Sequence, residues 1–232
     1  MTDLTSDPGK FYPVVYMFVV MFCFTAVLVG LARSASDRIE ANREVMFEKA
    51  VLTAVGIDVE DSSPTEVHAA FTGSIRPPTA GSSGAYVYVG HGQDARATGS
   101  GTGVSPVRRG HRGPVAYAIP FEGQGFWNTI KGVIGVKPDG RTIAGIAFYE
   151  QSETPGLGAE IVKPRFCDQF KGLLLEEGPA PLSLKPAGAE SEAPGVQAIT
   201  GATQTCTRLE RILNDALREW RQSGVRRQEC QK

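Results

Sequence analysis

The chain has 232 residues, with 24 Lys and Arg against 25 Asp and Glu; this is enough for one or two ordinary domains and excludes the concentrated basic excess that nucleic-acid binding needs. Four cysteines form neither a disulfide scaffold nor a C-x-x-C or Cys/His cluster, so zinc and iron–sulfur chemistry lack a ligand set. Gly (27) and Pro (15) are raised but below the level that implies disorder throughout.

After a short tail, 1–10, residues 11–32 (FYPVVYMFVVMFCFTAVLVGLA) carry no charged side chain. As a helix, a run of that length crosses a hydrocarbon core of about 30 Å. It exceeds the apolar part of a signal peptide, about 7–15 residues, and Leu31–Ala35 is a poor cleavage site. The expectation is an uncleaved transmembrane helix, with Tyr12 and Tyr16 at one interface and Arg33 at the other. Lys10 before the span stands against Arg33, Arg38, Arg43 and Lys49 after it; this count taken alone puts the C-terminal part in the cytoplasm, but the rule weakens when a long domain follows. Residues 33–56 read as a helical stalk, because Ile39, Met46, Phe47, Ala50, Val51 and Ala54 recur at helical spacing.

Residues 57–223 read as one domain. Stretches 72–83 and 90–113 are loops by composition, around a short alternating strand at 85–89. Three β-rich runs follow, at 115–121, 130–137 and 142–150, and Pro138-Asp139-Gly140 between the last two predicts a hairpin. Residues 176–195, rich in Pro, Gly, Ala and Glu, read as a surface excursion. A helix from 204 to 223 carries Leu209, Ile212, Leu213, Ala216, Leu217 and Trp220 on one face, and 224–232 is a frayed tail. The expected fold class is α+β: an N-terminal transmembrane helix, then a twisted, mainly antiparallel sheet flanked by helices.

Two segments carry the chemistry. Glu153-Thr154-Pro155-Gly156-Leu157-Gly158 follows the last long strand, and its glycines let backbone approach a ligand closely. Thr200-Gly201-Ala202-Thr203-Gln204-Thr205 opens the final helix, where free N–H groups and the positive dipole end suit a phosphate. A plain N-cap accounts for one of those threonines but not for three.

Together these segments resemble the FMN-binding C subunits of sodium-translocating NADH:quinone reductases and the related G subunits of Rnf electron-transport complexes. The likeness covers Gly123–Leu175, including Phe126-Trp127, Lys137-Pro138-Asp139-Gly140 and Phe148-Tyr149-Glu150-Gln151, and resumes from Thr200; the run from Phe148 to Pro164 is nearer the quinone-reductase family. The resemblance implies an FMN-binding domain with FMN joined through its phosphate to Thr203. Thr200, Gly201, Ala202 and Thr205 would surround the attachment, with the ribityl chain passing the Gly-Ala pair. Glu153, Thr154, Pro155, Gly156, Leu157 and Gly158 would face the isoalloxazine, and Trp127 either stacks on the ring or anchors the sheet. Gln197 stands where the family usually has an acid, three positions before the first hydroxyl.

Flavin chemistry belongs to the cofactor, so no catalytic side chain and no metal is expected. No G-x-G-x-x-G follows a strand, so NADH would bind elsewhere. The resemblance implies an electron-transfer subunit rather than a self-contained enzyme. It would be a single-pass protein of the bacterial inner membrane with a periplasmic domain, matured by a flavin transferase and partnered by other membrane subunits of an Nqr- or Rnf-type complex. The alternatives are a stand-alone anchored FMN carrier serving a periplasmic reductase and a non-redox anchored module. His68, His91 and His111 read as surface residues, Cys23 as packing in the span, and Cys167, Cys206 and Cys230 as allowing at most one disulfide. Cys206 reads as buried beside the helix, against the alternative of a thiol activated by the helix start.

Overall fold

The computed structural model describes residues 12–78, 84–90, 115–186 and 195–230, without the side chains of residues 37 and 224–230. The expected tail at 1–10, most of the loop at 90–113, and His91 and His111 lie outside the described residues. The first helix, α1 (Tyr12–Ala54), is shared between two units, residues 1–44 and 45–232.

In the first unit α1 is long and apolar enough to cross a membrane. Its apolar side chains face outward, with Phe18 and Phe22 both 75% exposed. Past the apolar run, Ser34 Oγ donates to the Leu31 carbonyl at 2.9 Å and Ser36 Oγ to that of Arg33 at 2.7 Å, the back-bonding that lets hydroxyls sit inside a helix.

The second unit begins with the end of α1, where Ala50, Val51, Leu52 and Ala54 are buried. The helix stops at Gly56, whose φ of 92° suits glycine; Gly56 N–H donates to the Thr53 carbonyl and Ile57 N–H to that of Leu52, a Schellman closure. Helix α2 (Pro64–Ser74) follows, where hydrophobic periodicity predicts no element. Its start is written in Ser63-Pro64-Thr65-Glu66: Ser63 N–H donates to the Glu66 carboxylate at 2.8 Å and Glu66 N–H to Ser63 Oγ, a capping box with proline at the first helical position.

The sheet is five-stranded and antiparallel in the order β1 (Ile75–Arg76), β2 (Tyr86–Tyr88), β3 (Ala116–Gln124), β4 (Thr129–Val136), β5 (Ile143–Glu150). Alternation sends Ile119, Phe121, Ile130, Ile134 and Ile143 to one face and Ala116, Ala118 and Val133 to the other. The first face packs against Leu209, Leu213 and Leu217 of the final helix, and against Phe166 and Phe170 in and after the short α3 (Pro164–Cys167). The second packs against Val51 and Leu52 of α1 and Val67 of α2.

The expected surface excursion at 176–195 is corrected in part. Leu182, Leu184 and Val196 are buried, and β6 (Leu184–Lys185) pairs in parallel with β7 (Val196–Gln197). The cause is Asn214, a buried amide on the final helix that accepts from Leu182 N–H and donates to the Leu182 carbonyl, both at 2.9 Å. The final helix α4 runs Thr203–Cys230, past the expected end at 223.

Two substitutions test these contacts. A Cβ on Gly135 would lie 2.0 Å from the Ala54 carbonyl oxygen, so Gly135→Ala should cost about 1–3 kcal/mol, read as a lower midpoint in denaturant. In the β4–β5 turn, Asp139 accepts from the N–H groups of Arg141 and Thr142 and from Thr142 Oγ1, and these bonds, led by the Thr142 hydroxyl, hold its carboxyl down from 3.8 to about 2. Its contribution is therefore present above about pH 4 and lost as pH falls through about 2. The gap in thermal midpoint between the parent chain and Asp139→Asn should be widest near neutrality and close between those values.

Candidate functional site

The turn between β3 and β4 is bare at Gly125, because a Cβ there would sit 2.4 Å from Glu153 Oε1 and 2.7 Å from the Asn128 carbonyl oxygen. That space lets the Glu153 carboxylate in. Oε1 accepts from Phe126 N–H at 2.8 Å and from Trp127 N–H at 3.1 Å. Oε2 accepts from Thr205 Oγ1 at 2.8 Å, and Gln151 Oε1 fixes the Glu153 N–H at 2.7 Å. Glu153 is 5% exposed, so one buried charge ties the β3–β4 turn, the segment after β5 and the start of α4 together. Gly158 must also be bare, since a Cβ there would meet Thr205 Oγ1 at 2.6 Å and Glu153 Oε2 at 2.9 Å.

Around this clasp the predicted residues divide into a buried and an exposed set. Glu153, Gly158, Ala202 and Thr205 are buried, and the first and last spend their polar groups on each other. Thr154, Pro155, Gly156, Leu157, Thr200, Gly201 and Thr203 are exposed. The loop folds on itself through Leu157 and Ala159 N–H donation to the Thr154 carbonyl, both at 3.1 Å, and Gly156 turns it with a φ of 76°. Leu157 reaches across to Gly201, whose added Cβ would lie 3.0 Å from Leu157 Cδ2.

Trp127 does not anchor the sheet. It is 64% exposed, its indole N–H donates to Thr154 Oγ1 at 2.9 Å, and its ring meets Phe126 edge-on with centroids 5.0 Å apart. Its face is therefore presented beside the loop.

Helix α4 opens at Ala202, whose carbonyl takes the first helical bond from Cys206 N–H at 3.0 Å. Thr203 is thus the first helical residue, and the N–H groups of this turn have no helical carbonyl to bond. The first turn has no acidic residue of its own; the carboxylate that reaches it is that of Glu153, at Thr205 Oγ1. Cys206 is buried, and burial pushes its thiol up, which overturns the alternative of an activated thiol. Gln197 is exposed on β7, its N–H donating to Gln169 Oε1 at 2.8 Å.

These features suit a flavin nucleotide. The helix start offers donors to a phosphate, Thr203 an exposed hydroxyl, Gly201 a close backbone passage, and Trp127 with Leu157 apolar surface for a ring. Sequence reasoning missed the clasp itself, because partners 52 positions apart carry no local signal.

Comparison with known proteins agrees. Residues 125–218 match the family described as FMN-binding domain. The chain is 43% identical over 101 residues to the C subunit of the Na(+)-translocating NADH-quinone reductase of Neisseria meningitidis serogroup A, covering 42% of this chain and 39% of that protein. It is 28% identical over 195 residues to that of Vibrio alginolyticus, covering 73% and 75%. The chain thus spans about two fifths of the length of the Neisseria relative in the region that matches. The crystal structure of the corresponding protein from Parabacteroides distasonis superposes with a TM-score of 0.60 at 23% identity, covering 82% of this chain and 96% of that one, and NqrC of Shewanella oneidensis with 0.58 at 19%, covering 79% and 98%; both share the fold. Residues 125–218 thus match the FMN-binding domain family, and the chain is similar to the C subunits of Na(+)-translocating NADH-quinone reductases.

Proposed function

We propose that this chain is a membrane-anchored flavoprotein subunit that carries FMN on Thr203 and relays electrons inside an ion-translocating oxidoreductase complex. The observation that carries the reading is Thr203 itself: an exposed hydroxyl at the first position of α4, in a first turn with no acidic residue of its own. Thr205 is 4% exposed and its hydroxyl proton is committed to Glu153, so of the two helical threonines within the Thr200–Thr205 motif only Thr203 is open to a flavin transferase. Attachment would join Thr203 Oγ to the phosphorus of the flavin nucleotide as one of its existing P–O bonds breaks, the hydroxyl proton leaving with the displaced group, so that the chain gains FMN less water. The helix N–H groups and dipole then favour the remaining negative charge by about 0.3–1 kcal/mol.

FMN, when bound, supplies the capacity to take up and give up electrons. The chain's residues hold and orient it: Thr200, Gly201 and Ala202 line the approach to Thr203, and Thr154, Pro155, Gly156 and Leu157 lie alongside the ring. Thr154 Oγ1 already accepts from Trp127, which leaves its own proton free to donate. Glu153, Gly158 and Thr205 shape the seat from beneath. The apolar part of α1 would span the bacterial inner membrane, with the domain on the periplasmic side where the flavin transferase works. Other membrane subunits of an Nqr-type complex, or of the related Rnf type, would supply and accept the electrons. The similarity to the quinone-reductase C subunits supports the first type.

Intact mass of the full chain, produced with a flavin transferase and purified in detergent, tests the attachment. The expected gain is FMN less water, absent in Thr203→Ala and retained in Thr205→Val; an unmodified parent chain would remove the covalent reading. Glu153→Gln puts an amide donor where only acceptors are needed. It should lower stability by about 1–3 kcal/mol and reduce the fraction of chains bearing flavin, measured by thermal unfolding and by mass; a stable, fully loaded variant would show the clasp to be dispensable.

A further inference from the structure

One buried donor of α4 stands outside the clasp. Arg208 Nε is buried and has no hydrogen-bond partner among the described residues. A buried donor left without an acceptor is rare in native proteins and needs a cause, and a guanidinium stays charged at any pH the protein meets. The placement adds to the anomaly. Cations are favoured at the C-terminal end of a helix, yet Arg208 stands in the second turn, after a first turn with no acidic residue of its own.

Register says where this donor lies. Thr205, Arg208 and Ile212 form an i, i+3, i+7 row on α4. Both ends of the row are pinned to the β3–β4 hairpin. Thr205 is held through Glu153 to the N–H groups of Phe126 and Trp127; Ile212 packs so close to Gly123 that an added Cβ would come within 2.4 Å of Ile212 Cγ1. Arg208 lies between these contacts, along the chain that leads from Gly123 to Trp127. Helical side chains lean toward the helix N-terminus, which directs Arg208 toward the turn that begins with Thr203.

We propose that Arg208 is a further cofactor-holding residue, whose guanidinium donates to oxygen acceptors of FMN on the Trp127 side of the site. This rests on the FMN reading above. The nucleotide presents phosphate, ribityl and pyrimidine-carbonyl oxygens, and a planar fork of N–H groups can serve any of them with two parallel bonds. A donor at the pyrimidine carbonyls stabilises the ring more when it holds extra electrons, and so raises its potential. A donor at the phosphate or ribityl chain holds the nucleotide without that effect.

The test uses the full chain in detergent. With Thr203→Ala as background, which prevents covalent loading, free FMN is titrated and followed by quenching of its fluorescence. Adding Arg208→Met should weaken FMN binding about tenfold, Arg208→Lys should recover part of the loss, and the exposed Arg211→Met should leave binding unchanged. The parent chain and the single variant Arg208→Met, both covalently loaded, are then compared by redox titration. Weaker binding with a lowered midpoint potential supports contact at the pyrimidine edge; weaker binding with an unchanged potential supports contact at the phosphate or ribityl chain. Unchanged binding and potential in Arg208→Met overturn the proposal while the FMN reading stands, as does a loss of thermal stability alone. If the parent chain takes up no FMN, covalently or freely, the FMN reading falls and this proposal with it.

Discussion

A carboxylate sealed from water is tolerable only when its lone pairs are met, and Glu153 meets this condition with three donors from two other stretches of chain. That requirement propagates outward. It needs Gly125 and Gly158 to be bare, or the carboxylate could not approach. It turns the Phe126–Trp127 backbone inward, which leaves both rings outside. It also fixes the first turn of α4 through Thr205, and thereby presents Thr203 to solvent. A set of uncharged contacts would not define the positions of three loops so tightly, because charge-assisted hydrogen bonds are both stronger and more directional.

The sheet beneath serves this arrangement by being covered on both faces. α4 lies close to β3 because Gly123 offers no side chain to Ile212, and its far end is steadied by Trp220 against Tyr117, with ring centroids 5.6 Å apart. On the opposite face the last turns of α1 lie so near that the Ala54 carbonyl faces Gly135 and Gly145, which are register partners on β4 and β5. Close approach of helix backbone to sheet backbone at paired glycines joins the N-terminal helix to the strands that lead into the clasp.

Patterns confined to a few neighbouring residues were legible in the sequence. The Pro138-Asp139-Gly140 turn, the three long strands and the apolar stripe of α4 each follow from short-range periodicity or turn chemistry, and the strands lie within a residue or two at most ends, β3 running on to Gln124. α2 escaped because only Val67 of its residues is buried, so its amphipathic signal is faint, although its capping box was in plain view. β1, β6 and β7 have two residues each, too few for an alternation to register, and the burial around Leu182 depends on an asparagine 32 positions away. At the site, the two motifs were legible as motifs. Their division into a buried clasp and an exposed rim was not, because it depends on which oxygen meets which donor across the fold.

Cys206 sits three residues beyond Thr203, and its sulfur accepts a hydrogen bond from Ile199 N–H at 3.4 Å. Only the thiolate attacks disulfides, peroxides or electrophilic ring carbons, and burial holds this sulfur in its protonated form. A reactive thiol within a turn of a redox centre would invite adduct formation and oxidation to sulfenic acid. By withholding the thiolate, the fold would keep sulfur chemistry silent beside a flavin carried on Thr203, and a side chain that could poison such a site is reduced to packing material.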